Sequence, residues 1–294
     1  MSLIDFKEQT PERGLPDYAI FPLFVYTHKC TDGNHYACHH WHEELEFVYV
    51  EEGQLEISLN GEVFYANQGE VYFLNSKDLH QIAVSSRSSL HHAIVFKYEI
   101  LSFLWHDHSN PMTLSNAKFT FDINSTPLAA QIVAEIKEAV QAYNEKSKGY
   151  KIVMRAALLK IIGLLMKDNL ITTQQDDYQK DTRVLLAKKS MTYIQDNYQK
   201  KITIHDLAND VSMSKSYFCK FFKQMFGKTA IEYINQHRIE EACNLIKSSN
   251  LNLLDIAMEV GFDNFSYFTR KFKEIKKITP SQYRKGVEDE KLAI

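Results

Sequence analysis

From residue 20 to about residue 97 the apolar positions come in short bursts. ELEFVYV, QLEISL, EVFYA, EVYFL and HHAIVF are rich in Val, Ile, Tyr and Phe, and EEG, LNGE, ANQGE and NSKD punctuate them. Short bursts bounded by turn residues fit strands rather than helices. Asn60-Gly61 sits between QLEISL and EVFYA. Both central positions of a type I′ turn need positive φ, so this pair predicts a hairpin. Many short antiparallel strands at this spacing predict a barrel or sandwich.

At Thr126 the period changes. TPLAAQIVAEIKEAVQAYNEKSKG puts Ile132, Val133, Ile136, Val140 and Tyr143 on one helical stripe, and Pro127 fits a first helical turn. YKIVMRAALLKIIGLLMKDNL predicts a second helix with a broad apolar face. That face packs on the β-region or pairs with a second copy of the chain. ITTQQDDYQKDT, residues 171–182, is polar and aperiodic, as a linker would be. Beyond it the pattern is helical to about Tyr283, and GVEDEKLAI reads as a frayed tail.

Within the C-terminal third the pattern repeats. ITIHDLANDVSMSKSYFCKFFKQMFGKTAIEY, from Ile202, aligns with LNLLDIAMEVGFDNFSYFTRKFKEIKKITPSQY, from Leu251. Ala208 and Val211 match Ala257 and Val260. Ser216-Tyr217-Phe218, Phe222-Lys223, Thr229 and Tyr233 match Ser266-Tyr267-Phe268, Phe272-Lys273, Thr279 and Tyr283. The offset grows by one residue, so the second copy has a longer turn. Each copy reads as a short helix, a tight turn and a second helix, a helix-turn-helix. Leu207, Ala208 and Val211 form the inner face of one first helix. Ser214 caps the following helix, and Phe218, Phe221 and Phe222 bury it. In the second copy Gly261 permits the turn, Asp263 or Asn264 caps, and Phe268 and Phe272 anchor. The opposite face carries Lys215, Ser216, Cys219, Lys220 and Lys223 in the first copy, and Asn264, Ser266, Thr269, Arg270 and Lys273 in the second. Basic and hydrogen-bonding groups on one face suit a helix lying in the major groove of DNA.

Charge strengthens that reading. The whole chain carries a net charge of −3. From Arg183 onward, however, Lys and Arg exceed Asp and Glu by about 6, leaving about −9 for the residues before it. The C-terminal part is suited to a polyanion and the N-terminal part is not. No apolar run reaches the roughly 20 residues of a membrane-spanning helix, and the polar N-terminus lacks a signal-peptide layout. Cys30, Cys38, Cys219 and Cys243 show no disulfide spacing, which predicts a reduced, cytoplasmic setting.

IAMEVGFDNFSYFTRKFKEIKKITPSQYRK is similar to the signature of AraC-type transcriptional regulators. Ile256-Ala257, Gly261-Phe262, Phe268-Thr269-Arg270-Lys271-Phe272-Lys273 and Thr279-Pro280-Ser281-Gln282-Tyr283-Arg284 carry the resemblance, which covers about 100 residues. One position departs from the pattern. The glycine two before the threonine is present as Gly227 in the first copy, whereas Lys277 stands there in the second. The resemblance implies two helix-turn-helix units joined by a long helix around Thr229 to Ser248. They would enter successive major grooves about 34 Å apart.

The same family often carries an N-terminal cupin-like barrel, and HHWHEELEFVYVEEG fits one. His40-x-His42-x-x-x-Glu46 with Gly53 resembles the first cupin motif, and Gly69 to His80 the second; the proline common before that last histidine is absent. In metal-binding cupins the equivalents of His40, His42, Glu46 and His80 hold one divalent ion. Three imidazoles and a carboxylate suit Fe, Mn, Ni or Zn. The competing reading makes them polar groups of a sugar-sized pocket. His39, His91, His92, His106 and His108 show no ligand spacing. Tyr26, Trp41, Tyr49, Tyr65 and Tyr72 are candidate pocket aromatics.

The expected molecule is a multidomain α+β protein. Residues 1–124 form a cupin-like effector-sensing barrel and 125–170 a helical dimerisation region. Residues 171–182 link these to an all-α DNA-binding domain at 183–287, with helix-turn-helix units near 202–225 and 251–275. The expected function is transcriptional regulation of a double-stranded DNA operator by a homodimer, in response to a small molecule with a sugar as first candidate. The resemblance implies an activator more than a repressor, with RNA polymerase as a further partner. No catalytic residue and no resident cofactor is assigned. The alternative is a metal-dependent cupin enzyme with an appended DNA-binding domain.

Overall fold

The computed structural model describes residues 21–30, 39–97, 99–100, 127–168, 170 and 182–292. The chain divides into two compact units between Asp181 and Thr182.

Among the described residues, the first unit has seven antiparallel strands: β1 (Leu23–Cys30), β2 (Leu45–Glu52), β3 (Gln54–Leu59), β4 (Glu62–Asn67), β5 (Val71–Leu74), β6 (His80–Val84) and β7 (Ser89–Phe96). They form a four-stranded sheet ordered β1-β7-β2-β5 and a three-stranded sheet ordered β4-β3-β6. Asn60 (φ 52) and Gly61 (φ 88) make the turn of the β3–β4 hairpin, as their sequence demands. Inner faces of both sheets meet in an apolar layer that includes Val48, Val50, Leu55, Ile57, Leu74, Ile82 and Val84. The other face of the larger sheet packs on two helices, α1 (Pro127–Glu145) and α2 (Tyr150–Lys167). Ile132, Val133, Ile136 and Val140 of α1 join Met154, Leu158, Ile161 and Leu165 of α2 in that layer, with Phe47, Tyr49, Phe73 and Phe96 beneath. Period-2 strands thus offer one face to each layer, and period-3.6 stripes cover the outer one. The broad face of α2 is therefore divided. Half packs on the sheet, while Ile152, Val153 and Met166 stay exposed.

The second unit is helical: α3 (Thr182–Asn197), α4 (Ile204–Asp210), α5 (Lys215–Phe226), α6 (Ala230–Ser248), α7 (Leu253–Glu259), α8 (Phe265–Lys276) and α9 (Pro280–Leu292). The repeat is repeated in three dimensions. Phe222 meets Phe218 at 5.5 Å and Tyr233 at 5.6 Å; Phe272 meets Phe268 at 5.7 Å and Tyr283 at 5.6 Å. Thr203 and Asn252 accept from Asp206 N and Asp255 N, Ser214 and Asn264 from Tyr217 N and Tyr267 N, and Thr229 and Thr279 from Glu232 N and Gln282 N. Each cap satisfies an amide that the helix start leaves open. The turn is four residues in the first copy and five in the second. The C-terminal residues differ from the frayed tail expected. The last helix continues to Leu292, and Val287 is buried in the core cluster that also holds Ile239, Phe272 and Tyr283. Of the expected linker at 171–182, Thr182 opens α3, and residues 171–181, with Cys38, His106 and His108, lie outside the described residues. Among the described cysteines, Cys30 and Cys243 are buried and Cys219 is exposed.

Candidate functional site

On α5 the phenylalanines at 218, 221 and 222 face inward, which turns Lys215, Ser216, Cys219, Lys220 and Lys223 to solvent. On α8, Phe268 and Phe272 do the same for Ser266, Arg270 and Lys273, with Thr269 half-buried. The Arg270 guanidinium stacks over the Tyr267 ring at 5.2 Å, which stiffens it without covering its donors. Asn264 is exposed, but its Oδ1 is committed to the cap of α8. Its role is therefore to start the helix rather than to offer that oxygen to a base. Tyr217 and Phe265 are also exposed on these two helices. The sequence reading passed over them, although neither lies on the inward Phe stripe. α6 lies between the two helix-turn-helix copies; its 19 residues span about 28 Å. Arg238 on α6 donates to the carbonyls of Tyr198 (2.8 Å) and Lys200 (2.7 Å) and lies over Phe262. This clamp joins α3, α6 and the second turn.

The barrel holds the other candidate site. Registers place Glu46 opposite Val95 and Leu74 on the inner face of the larger sheet, and His80 opposite Leu59 on the inner face of the smaller one. His40 reaches His80 through an isolated backbone pair, N to O 2.9 and 3.0 Å. The His40 and His80 rings are 4.2 Å apart, and those of His42 and His80 5.1 Å. One ligand atom from each imidazole lies within 4.8 Å of the others. Glu46 Oε2 is 3.1 Å from His42 Nε2 and 3.6 Å from His80 Nε2. His42, Glu46 and His80 are buried. Burial opposes charge on His42, but hydrogen bonding to Glu46, and the charges of Glu46 and Glu44, outweigh it and raise its pKa above 6.5. Burial, with His40 and His42 beside it, drives His80 well below 6.5.

Residues that the sequence reading missed position this cluster. Asp78 Oδ2 accepts from Asn75 N (2.8 Å), and Asp78 Oδ1 from Asn60 Nδ2 (2.8 Å). Asn60 Oδ1 accepts in turn from Leu79 N (3.0 Å). The hairpin residue Asn60 thus fixes the loop where the expected proline is absent. The pairing crosses 18 residues and leaves no local signal in the sequence.

Other expected residues go elsewhere. His39 Nε2 pairs with Ser58 Oγ, His91 stacks on His28, and His92 lies between Thr27 and Glu51. Of the candidate aromatics, Tyr49 is in the outer layer against the helices, and Trp41 and Tyr65 are exposed. Tyr72 packs in the inner layer, and Tyr26 continues a stacked row with Phe24 and His28. Strand alternation explains the split, since residues one apart in register face opposite sides.

A family model for an AraC-like ligand binding domain matches residues 21–152, and one for a helix-turn-helix domain matches residues 207–286. The TetD protein of transposon Tn10 from Escherichia coli is 35% identical over 120 residues, which cover 41% of this chain and 86% of TetD. The chain belongs to the AraC family of transcriptional regulators. This AraC-type regulator is also similar to an uncharacterized HTH-type transcriptional regulator, YdeC, of Bacillus subtilis (strain 168). The two are 28% identical over 258 residues, 86% of this chain and 87% of YdeC. The melibiose operon regulatory protein of Escherichia coli (strain K12) is 23% identical over 254 residues, 84% and 83% of the two chains. The AraC-type regulator therefore binds DNA through its helical unit and carries a ligand-binding domain in its β-unit. Among the described residues, no helix is long and apolar enough to cross a membrane.

Proposed function

We propose that this AraC-type regulator is a cytoplasmic homodimer that activates transcription at a specific operator when a small molecule occupies its barrel. The duplicated helix-turn-helix with a basic outer face on each second helix carries this reading. Lys215, Ser216, Lys220 and Lys223 on α5 and Ser266, Thr269, Arg270 and Lys273 on α8 contact successive major grooves, with Cys219 at the base-facing side. Lysines hold phosphates, while Arg270, with five donors in a fixed fork, suits guanine.

The row Phe24, Tyr26 and His28 supports a ring-shaped effector, because flat aromatic faces stack on the apolar face of a sugar. The name of the melibiose operon relative points the same way. Dimerisation is assigned to the outer stripe of α2. Ile152, Ala156, Leu159, Gly163 and Met166 recur at spacings of four and three, the seam of a helix pair. Effector binding acts by favouring one of two existing arrangements of the paired DNA-binding units, and RNA polymerase is the partner at the promoter.

Gel shifts of full-length protein on DNA upstream of its own and adjacent genes test the core of this reading. Saturable binding that survives competitor DNA is expected. A thermal-shift panel of sugars then tests the effector, and run-off transcription tests activation. Absence of sequence preference at about 150 mM salt overturns the operator assignment.

A further inference from the structure

The histidine cluster contains a hydrogen-bonding mismatch. His42 Nδ1 lies 3.1 Å from the Glu44 carbonyl, and His80 Nδ1 lies 2.9 Å from the Asp78 carbonyl. A carbonyl only accepts, so both Nδ1 atoms carry hydrogen. In a neutral ring Nε2 is then a bare lone pair. Both Nε2 atoms point at one Glu46 oxygen, which also only accepts. His80 Nε2 is buried and has no hydrogen-bond partner. Buried polar atoms in folded proteins are nearly always paired, so this one requires an explanation. A proton on His42 would satisfy one contact and still leave His80 Nε2 facing a carboxylate. A cation bound by all of them satisfies the whole set.

We infer that His40, His42, His80 and Glu46 hold one divalent first-row transition-metal ion, which ties the two sheets of the barrel together. Three imidazoles and one carboxylate match Zn, Fe, Mn, Co or Ni rather than Ca or Mg, which take oxygen ligands. Bonds of about 2.0–2.2 Å place adjacent donors about 3–3.5 Å apart. The imidazole donors, already within 4.8 Å of one another, need to close by at most about 1.8 Å. The rings are also oriented in advance, because a backbone carbonyl behind each of His42 and His80 fixes the metal-binding nitrogen. Glu46 stands on the four-stranded sheet and His80 on the three-stranded one. The ion is therefore a cross-sheet staple inside the ligand-binding domain. It is placed to set the spacing of the sheets and so the shape of the sensor.

The test uses untagged full-length protein, stripped with chelator and titrated with Co2+ while the visible d–d spectrum is recorded. One equivalent, displaced by Zn2+, with a rise of several degrees in melting temperature, is expected. Glu46→Gln and His80→Ala are expected to weaken Co2+ binding at least tenfold. Glu46→Gln is the more informative variant. Its amide donates where the carboxylate could not, so a metal-free polar plug gains stability from it while a metal site loses affinity. Far-UV circular dichroism confirms that the variants are folded. Less than about a tenth of an equivalent on folded wild type, or unchanged affinity in both variants, overturns the inference. DNA gel shifts on the stripped protein are read separately, so failure of the regulator reading and failure of the metal site remain distinguishable.

Discussion

Arg270 and Cys219 are both exposed, on α8 and α5, but their chemistry differs. Arg270 offers a charged fork held over Tyr267; Cys219 offers a weak thiol. Arg270→Ala is expected to weaken operator binding by about 1–3 kcal/mol and to relax preference at one base position, whereas Cys219→Ala changes affinity far less. A gel-shift titration of both variants decides it, and equal affinity of Arg270→Ala and wild type would count against the assignment. His237 gives a second residue-scale expectation. Burial and the neighbouring Arg238 push its pKa down from 6.5 to about 4, with Tyr198 edge-on at 4.9 Å. Between those values the unfolded chain takes up a proton that the folded chain refuses. The stabilisation is thus complete above pH 6.5 and is lost as pH falls toward 4. The gap corresponds to about 3 kcal/mol as a ceiling. Since part of the ring remains in water, about 1–2 kcal/mol is expected from urea unfolding at pH 7 and pH 4.5. His237→Gln should flatten that difference.

At the scale of elements, the two copies solve one problem in two ways. α5 ends on Gly227 (φ 68) and α8 on Lys277 (φ 63), both left-handed. Glycine adopts this conformation freely, and a side chain costs about 1 kcal/mol there. Lys277→Gly is therefore expected to stabilise the helical unit by about 0.5–1 kcal/mol, and Gly227→Ala to destabilise it by a similar amount; a Cβ at Gly227 meets nothing within 4 Å. Gly261 is different in kind. A Cβ there would lie 2.5 Å from the Tyr198 carbonyl and 3.0 Å from Arg238 Nη2, inside the clamp that joins α3 to α6. Gly261→Ala should lower the melting temperature far more than Gly227→Ala, and equal effects in a thermal melt would contradict the clamp. The sequence flagged Lys277 as a departure, and the structure gives it meaning as tolerated strain.

For the whole molecule, the proposed subunit contact lies on the exposed stripe of α2, in the β-unit rather than in the DNA-binding unit. Leu159→Glu places a charge in the centre of that seam, and desolvating it is unfavourable. Light scattering should show a monomer, and gel shifts should show loss of tight binding to paired half-sites with binding to a single half-site retained. A dimer that persists in Leu159→Glu would move the contact elsewhere. Cooperative loss on DNA without loss of the fold is the expected signature, because Leu159 is only half-buried in the single chain.

Local pattern determined most of this molecule. The hairpin at Asn60-Gly61, the helices after Thr126 and the caps of the repeat are short-range phenomena, since turn chemistry, helical period and capping act over four residues or fewer. The exposed faces of α5 and α8 were legible for the same reason: a stripe of Phe fixes one side of a helix and so names the other. The barrel site was legible only as a set of residue types. Tertiary structure decided that His40, His42 and His80 converge with Glu46, and that Asn60 and Asp78 hold the loop from which His80 emerges. It also decided that Tyr49 turns away to the helices. These outcomes depend on which strands pair and in what register, and on contacts between residues far apart in the chain. A one-residue slip would have pointed Glu46 away from the histidines and left no site for an ion.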